Sequence, residues 1–390
     1  MLDLKRHFSR SIGRPGAALH FAAHSHHPWP DVTFEAQQQA WLDAAELLDR
    51  KWDKVFAEII PQAQRHVAVR LRLPEPTSIV FGPNTHSFLL RILSSVDAVS
   101  GLNVIATDSE FHSFTRQMDR LVEADLVNLV RVAVEPFATF KDRFIAELKR
   151  RDDWDLVWLS HVFFNSGFVL SHNDLIEILA AIPKQETLAV IDGYHAFMAI
   201  PVELSALGAR AFYVAGGYKY AMAGEGACFL HCPPGYGERP RDTGWYAEFG
   251  ALGAARGDEV AFGRDGSRFA GATFDPSGLY RLNAVTDWLD GIGLTVEQMD
   301  AHCADLQKRF VARLAGAASG LSPGDLIVRD VDACGRFLTF RTSDAQRIDE
   351  ELGGMNITVD HRGDRLRIGF GIYHDQDDIE RLIAALRAIG

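Results

Sequence analysis

From Thr77 onward the chain repeats one pattern, and that pattern limits the folds open to it. Strand-length apolar runs recur at residues 78–82 (SIVFG), 102–107 (LNVIAT), 128–134 (NLVRVAV), 155–160 (DLVWLS), 188–192 (LAVID), 211–216 (AFYVAG) and 227–232 (ACFLHC). Amphipathic stretches lie between several of them, such as THSFLLRILSSVD (85–97) and DRFIAELKRRDD (142–153). Strands alternating with helices predict a doubly wound α/β sheet of seven strands, parallel in the main. In such sheets ligands sit outside the carboxyl ends of the strands, where this chain collects its polar residues.

Around that core the organisation is simpler. Residues 32–60 show a helical period through Phe34, Trp41, Ala45, Leu48, Trp52, Val55 and Ile59. Residues 277–318 read as one long helical segment. A smaller α+β unit follows, with strands near GRFLTF and RLRIGF and a last helix from about Asp377. The expected division is an arm and first helix over 1–45, a large domain over 46–275 and a small carboxyl-terminal domain over 276–390. The arm would belong to the small domain or to the mouth of a site.

Composition narrows the function classes. Forty basic against 52 acidic residues give a net charge of −12, and no basic stripe is visible, which argues against nucleic acid. No run of eighteen apolar residues occurs, so no membrane span is expected. The first residues lack the apolar core of a signal peptide, and a cytoplasmic location is expected. Four cysteines, Cys228, Cys232, Cys303 and Cys334, are too few for a disulfide framework in 390 residues.

The strand ends carry the chemistry. FGPNTHS places Asn84 and Thr85 at a helix start, where free N–H groups favour a phosphate or a plain N-cap. DSEFHSF places Phe111 where an aromatic ring could stack on a flat ligand or simply fill the core. IDGYH supplies Asp192 and His195, and AGGYKYAMAGEG supplies Tyr218 and Lys219 between glycines that permit sharp turns. A buried carboxylate and a lysine on successive strand ends fit a pyridine ring bearing a phosphate and an aldehyde. Asp192 would keep the ring nitrogen protonated, and Lys219 would form the Schiff base and then shuttle protons. This is the pairing that pyridoxal 5′-phosphate chemistry requires, although singly Asp192 could be an N-cap and Lys219 a solvated surface lysine.

With these motifs in place, the chain resembles the class-V aminotransferase group of fold type I pyridoxal-phosphate enzymes, and within it most resembles kynureninase. DGYH followed by GGYKY carries the superfamily likeness. TGWYAEF (243–249) and DHRGDRLRIGFGIYH (360–374) carry the likeness to kynureninase. The resemblance implies that Lys219 is the Schiff-base lysine, Asp192 the pyridinium partner and His195 a contact near the cofactor's O3′ or the aspartate. It implies that Tyr218, Asn84 and Thr85 hold the phosphate, that Phe111 stacks on the ring and that Ser160 lies near its edge. Arg367 would clamp the α-carboxylate of an amino-acid substrate. Trp245 and Thr273 would reach the site of a neighbouring subunit in a homodimer. The reaction expected is carbon–carbon hydrolysis or transamination.

Departures from kynureninase bear on the substrate. Phe114 stands where an aspartate is expected, and AAHSHHPWP (22–30) replaces the usual amino-terminal segment, so His24 and His26 would line the substrate side. The histidines of HSHHPW also raise a metal site, but no carboxylate or cysteine stands at ligand spacing, and no metal is expected. Cys228 and Cys232, four apart on one strand, would face the same side as inert thiols. A cysteine desulfurase or selenocysteine lyase is the sibling alternative; its nucleophilic cysteine loop is absent, since NITVDHRGDR contains none. A non-catalytic cofactor-binding protein would lack the lysine or the aspartate, and both are present.

Overall fold

The computed structural model describes residues 4–96, 101–251, 257–316 and 320–390. Seven strands form the main sheet: β1 (Ile79–Gly82), β2 (Leu102–Thr107), β3 (Val127–Val132), β4 (Leu156–Ser160), β5 (Leu188–Asp192), β6 (Phe212–Gly216) and β7 (Cys228–His231). Their order across the sheet is β1-β7-β6-β5-β4-β2-β3. The pairs among β3, β2, β4, β5 and β6 are parallel; β7 runs antiparallel to both β6 and β1.

Residues alternate between the two faces with period two, as a pleated strand requires. Val157, Leu159, Ala189, Ile191, Tyr213 and Phe229 enter one core cluster. Trp158, Val190, Val214, Cys228 and Leu230 enter the other, as does Cys232 just past β7, so the two cysteines do share a side. Helices cover both faces: Thr85–Ser94 and His112–Glu123 contribute Phe88, Ile92, Phe114 and Met118 to the second cluster, and Phe140–Leu148 and His172–Ala180 pack on the first. With both faces covered, the interior strands can be continuously apolar.

Three sequence expectations need correction. Phe114, read as a pocket residue, is a core residue: it is buried and stacks on the buried Trp158 at 5.0 Å between centroids. Such a pair adds about 1 kcal/mol beyond its burial. The segment 277–318 is two helices, Ser277–Gly291 and Val296–Ala315, separated at Gly293, which takes φ +67°; residues 317 and 318 lie outside the described residues, as does residue 97. A capping box between Thr295 and Gln298 starts the second helix.

The third correction concerns residues 32–60. The helix Val32–Leu47 ends where Leu48 adopts φ +51°, and only the later part of the apolar stripe is buried: Val55 and Ile59 enter the core, whereas Trp41 and Leu48 are 69% and 68% exposed. The buried face holds Asp43 instead, which accepts from Tyr280 Oη at 2.8 Å and pairs with Lys54 Nζ at 2.7 Å. Periodicity identified an amphipathic helix but not the side that this chain buries.

Past Ala315 a second sheet forms from β8 (Phe337–Arg341), β9 (Asp360–Arg362) and β10 (Arg365–Gly369), in the order β9-β10-β8, all antiparallel. The amino-terminal arm joins this end of the chain, since Leu19–His20 pairs in parallel with Ile357–Thr358. From there the segment around His24 runs toward the carboxyl ends of the main sheet. The last helix spans Gln376–Ile389.

Candidate active site

Parallel pairing puts Ser160 beside Asp192 and Asp192 beside Val214. The carboxyl ends of β4, β5 and β6 therefore open side by side, and the chain after β6 turns through Gly216 and Gly217 to Tyr218 and Lys219. Gly216 allows the close approach here: a Cβ at that position would stand 2.0 Å from the Tyr194 hydroxyl.

Lys219 is buried, and its Nζ donates to the carbonyl of His24 at 2.8 Å. Burial, with a smaller contribution from Arg367, depresses its amine to about 7, against the opposing pull of Asp192 and Asp360. A large share of Lys219 is thus a neutral, nucleophilic amine near neutral pH. Asp192 is pushed the other way, up to about 6, because burial outweighs the Tyr194 N–H (3.0 Å to Oδ1) and the charge of Lys219. His195 is buried and held neutral, first by burial and then by Lys219 and Arg367; among the described residues its Nε2 has no hydrogen-bond partner.

These features fit pyridoxal phosphate. Among the described residues the buried Asp192 carboxylate accepts from one backbone N–H, which leaves it short of a cation, and a protonated ring nitrogen is one. The unpartnered His195 Nε2 is short of a polar neighbour. The helix Thr85–Ser94 begins just past β1, beside β7, with its N–H groups turned toward the same end of the sheet. Asn84 caps this helix, its Oδ1 accepting from Ser87 N at 3.0 Å, and Thr85 Oγ1 lies 3.9 Å from Cys228 Sγ.

Other expected residues fall as follows. Phe111 precedes the helix His112–Glu123 and meets Phe164 edge-on at 5.6 Å. Tyr218 lies 5.0 Å from Tyr194 and 5.5 Å from His26, ring to ring. His26 is exposed, and His24 is buried with its Nε2 3.0 Å from Asp360 Oδ1. His27 turns to the carbonyl of Pro28, so the three rings of HSHHPW diverge. Trp245 Nε1 donates to Thr273 Oγ1 at 3.0 Å within the chain, on an exposed surface. All four cysteines are buried thiols, each pushed up to about 12 by burial. No helix among the described residues is long and apolar enough to cross a membrane.

Two carboxylates at the site were not singled out from the sequence. Asp360 holds Arg367 from across the β9–β10 hairpin. Glu110, buried one residue before Phe111, accepts from Thr107 Oγ1 at 2.6 Å and from Ser160 N and Oγ at 3.2 and 2.7 Å. The Ser160 hydroxyl is therefore turned to Glu110. The signal for Glu110 was the one used for Asp192, a carboxylate at the end of a buried strand.

Burial drives the Glu110 carboxyl up to about 8, with Asp192 adding to the rise against its three donors. A carboxyl whose folded pKa lies above its unfolded value of 4.5 contributes most below that value and loses its contribution as pH rises through about 8. Glu110→Gln keeps one acceptor and removes the titration. Its melting temperature is expected to fall less than that of the parent between about pH 6 and pH 9. Parallel melting curves across that range would show that Glu110 does not titrate there.

No curated relative matches the sequence. Among solved structures, the cystine C–S lyase C-DES in complex with cysteine persulfide superposes with a TM-score of 0.80 at 19% identity, covering 96% of this chain and 98% of that one. The apo cysteine desulfurase of Thermococcus onnurineus NA1 gives 0.79 at 16%, covering 100% and 98%. The Escherichia coli cysteine desulfurase CsdA gives 0.77 at 14%, covering 100% and 98%. At these identities the likeness is one of fold, and these neighbours are not kynureninases. The family model for aminotransferase class V matches residues 47–382. The chain belongs to the class-V aminotransferase family, whose cofactor is pyridoxal 5′-phosphate.

Proposed function

We propose that this enzyme acts on an α-amino acid and breaks a bond at its Cβ, releasing all products to solution. The observation that carries the reading is the grouping of Lys219, Asp192 and Arg367 around one buried place, close enough that Arg367 and Asp192 both move the charge of Lys219. Pyridoxal phosphate, when bound, supplies the electron sink for charge left at Cα. Lys219 would anchor the cofactor and then take and return the proton at Cα. Asp192 would hold the proton of the ring nitrogen, and His195 would stand near O3′. Asn84, Thr85 and Tyr218 would hold the phosphate, with Phe111 over the ring and Ser160 at its edge. Arg367 would grip the α-carboxylate, with His24 acting through Asp360 and His26 at the mouth.

Cleavage at Cβ is favoured because two lines meet there. The kynureninase-like motifs point to a Cβ–Cγ bond, and the solved neighbours include a cystine C–S lyase and cysteine desulfurases. Sulfur relay through a chain cysteine is disfavoured, since each thiol is buried and far from the thiolate state. A homodimer is part of the same reading: Trp245 and Thr273 would reach the partner's site, and the outward stripe of Phe34, Trp41 and Leu48 leaves apolar surface to cover.

The test is a panel including cysteine, cystine, kynurenine and alanine, followed for products and for the state of the cofactor. Alanine or pyruvate should form from at least one member other than alanine, with the cofactor unchanged and no protein-bound persulfide. Conversion of the cofactor to its pyridoxamine form with release of a keto acid would establish transamination instead.

A further inference from the structure

Asp360 and Arg367 stand directly opposite each other on the β9–β10 hairpin, so their contact is built into the strand register. Arg367 donates from Nε to Asp360 Oδ1 at 2.8 Å, from Nη2 to Oδ2 at 2.5 Å and from Nη1 to the Phe164 carbonyl at 2.6 Å. The pair is sheltered, with side-chain exposures of 4% for Arg367 and 15% for Asp360. His24 Nε2 braces the same carboxylate from the other side at 3.0 Å. His24 is itself locked in place: a Cβ at Gly369 would come within 2.2 Å of its Nδ1, and its ring stacks on Phe337 at 4.7 Å. The side-on fork of the arginine, the mode in which it best holds a carboxylate, is thus already filled by a carboxylate of the chain.

We propose that Asp360 is a specificity-determining residue, a resident carboxylate that competes with the substrate's carboxylate for Arg367 and keeps the affinity for α-amino acids low. This rests on the reading of Arg367 as the carboxylate contact. Two effects oppose each other when Asp360 loses its charge. The guanidinium loses an oriented hydrogen-bonded partner, which weakens its grip modestly. It also loses the negative charge that repels an incoming carboxylate, in surroundings that water screens poorly, and a buried guanidinium without a counter-ion gains most from a new one. The charge effect is the larger. A damped clamp suits turnover, because tight uniform binding of a carboxylate shared by substrate and product lowers KM without raising kcat and slows release.

The holoenzyme can be titrated with alanine and with ethylamine, its counterpart lacking the carboxylate, reading the visible spectrum of the cofactor. Asp360→Asn should bind alanine about 10-fold more tightly and change ethylamine affinity by less than about 3-fold. Arg367→Ala should lose the preference of the parent for alanine. Ethylamine serves as the check that each variant retains its site, and Asp360→Ser replaces Asp360→Asn should the latter not fold. An unchanged or weakened alanine affinity in Asp360→Asn, with the preference lost in Arg367→Ala, would overturn the role of Asp360 alone. A preference that survives in Arg367→Ala, or a spectrum unmoved by either amine in every protein, would overturn the carboxylate reading and this inference together.

Discussion

Lys219→Ala is expected to lose the visible absorbance of a covalently held cofactor and to turn over no amino acid detectably. In the parent enzyme, borohydride should fix the cofactor to the peptide that contains Lys219. The loss should exceed roughly 10⁴-fold, because one side chain both anchors the cofactor and carries the proton at Cα, and general acid–base catalysis alone accounts for 10²–10⁴-fold. The environment prepares the amine for both tasks. A lysine exposed to water would stay charged near its ordinary 10.5, whereas burial brings Lys219 to about 7.

That depression has a thermodynamic signature. A lysine whose folded pKa lies below its unfolded value opposes folding at low pH, and the penalty fades as pH rises from about 7 to 10.5. The cofactor-free parent should therefore gain stability over that interval relative to Lys219→Ala, as thermal melts at matched pH would show. A variant that kept its visible colour and its labelled peptide would place the anchoring lysine elsewhere.

The site was legible in the sequence wherever a polar residue followed a fully apolar strand. Asp192 and Lys219 needed only the strand ends and the order of the sheet, because parallel packing brings consecutive carboxyl ends together. What escaped depended on partners distant in sequence. The outward face of the helix Val32–Leu47 could not be told from the inward one, since Asp43 is buried where the distant Lys54 and Tyr280 join Gln39 in holding it. Phe114 looked like a pocket residue by alignment of motifs, yet the helix turn after Phe111 rotates it onto Trp158. Asp360 was within reach: Arg362 and Arg365 flank a two-residue turn, and counting back along the hairpin sets Asp360 against Arg367. The break at Gly293 was written in the Thr295–Gln298 capping box that follows it.

Asp192→Asn separates catalysis from folding most sharply. The carboxylate should hold the ring nitrogen protonated, and an amide of the same shape cannot, so kcat should fall on the order of 10³-fold, equivalent to about 4 kcal/mol at the barrier. Without cofactor the same substitution should help the protein. A buried carboxyl raised from 3.8 to about 6 opposes folding by about 3 kcal/mol at neutral pH, a cost absent below 3.8 and complete above 6. The cofactor-free variant should therefore melt higher than the cofactor-free parent at pH 7, with the gap closing as the buffer is taken toward pH 4. A merely structural aspartate would do the opposite, since its loss would destabilise the fold and leave the spectrum of bound cofactor unchanged. Near-parental kcat in Asp192→Asn, or a lower melting point in the cofactor-free state, would show that this carboxylate is held for its packing and not for a cation it has yet to meet.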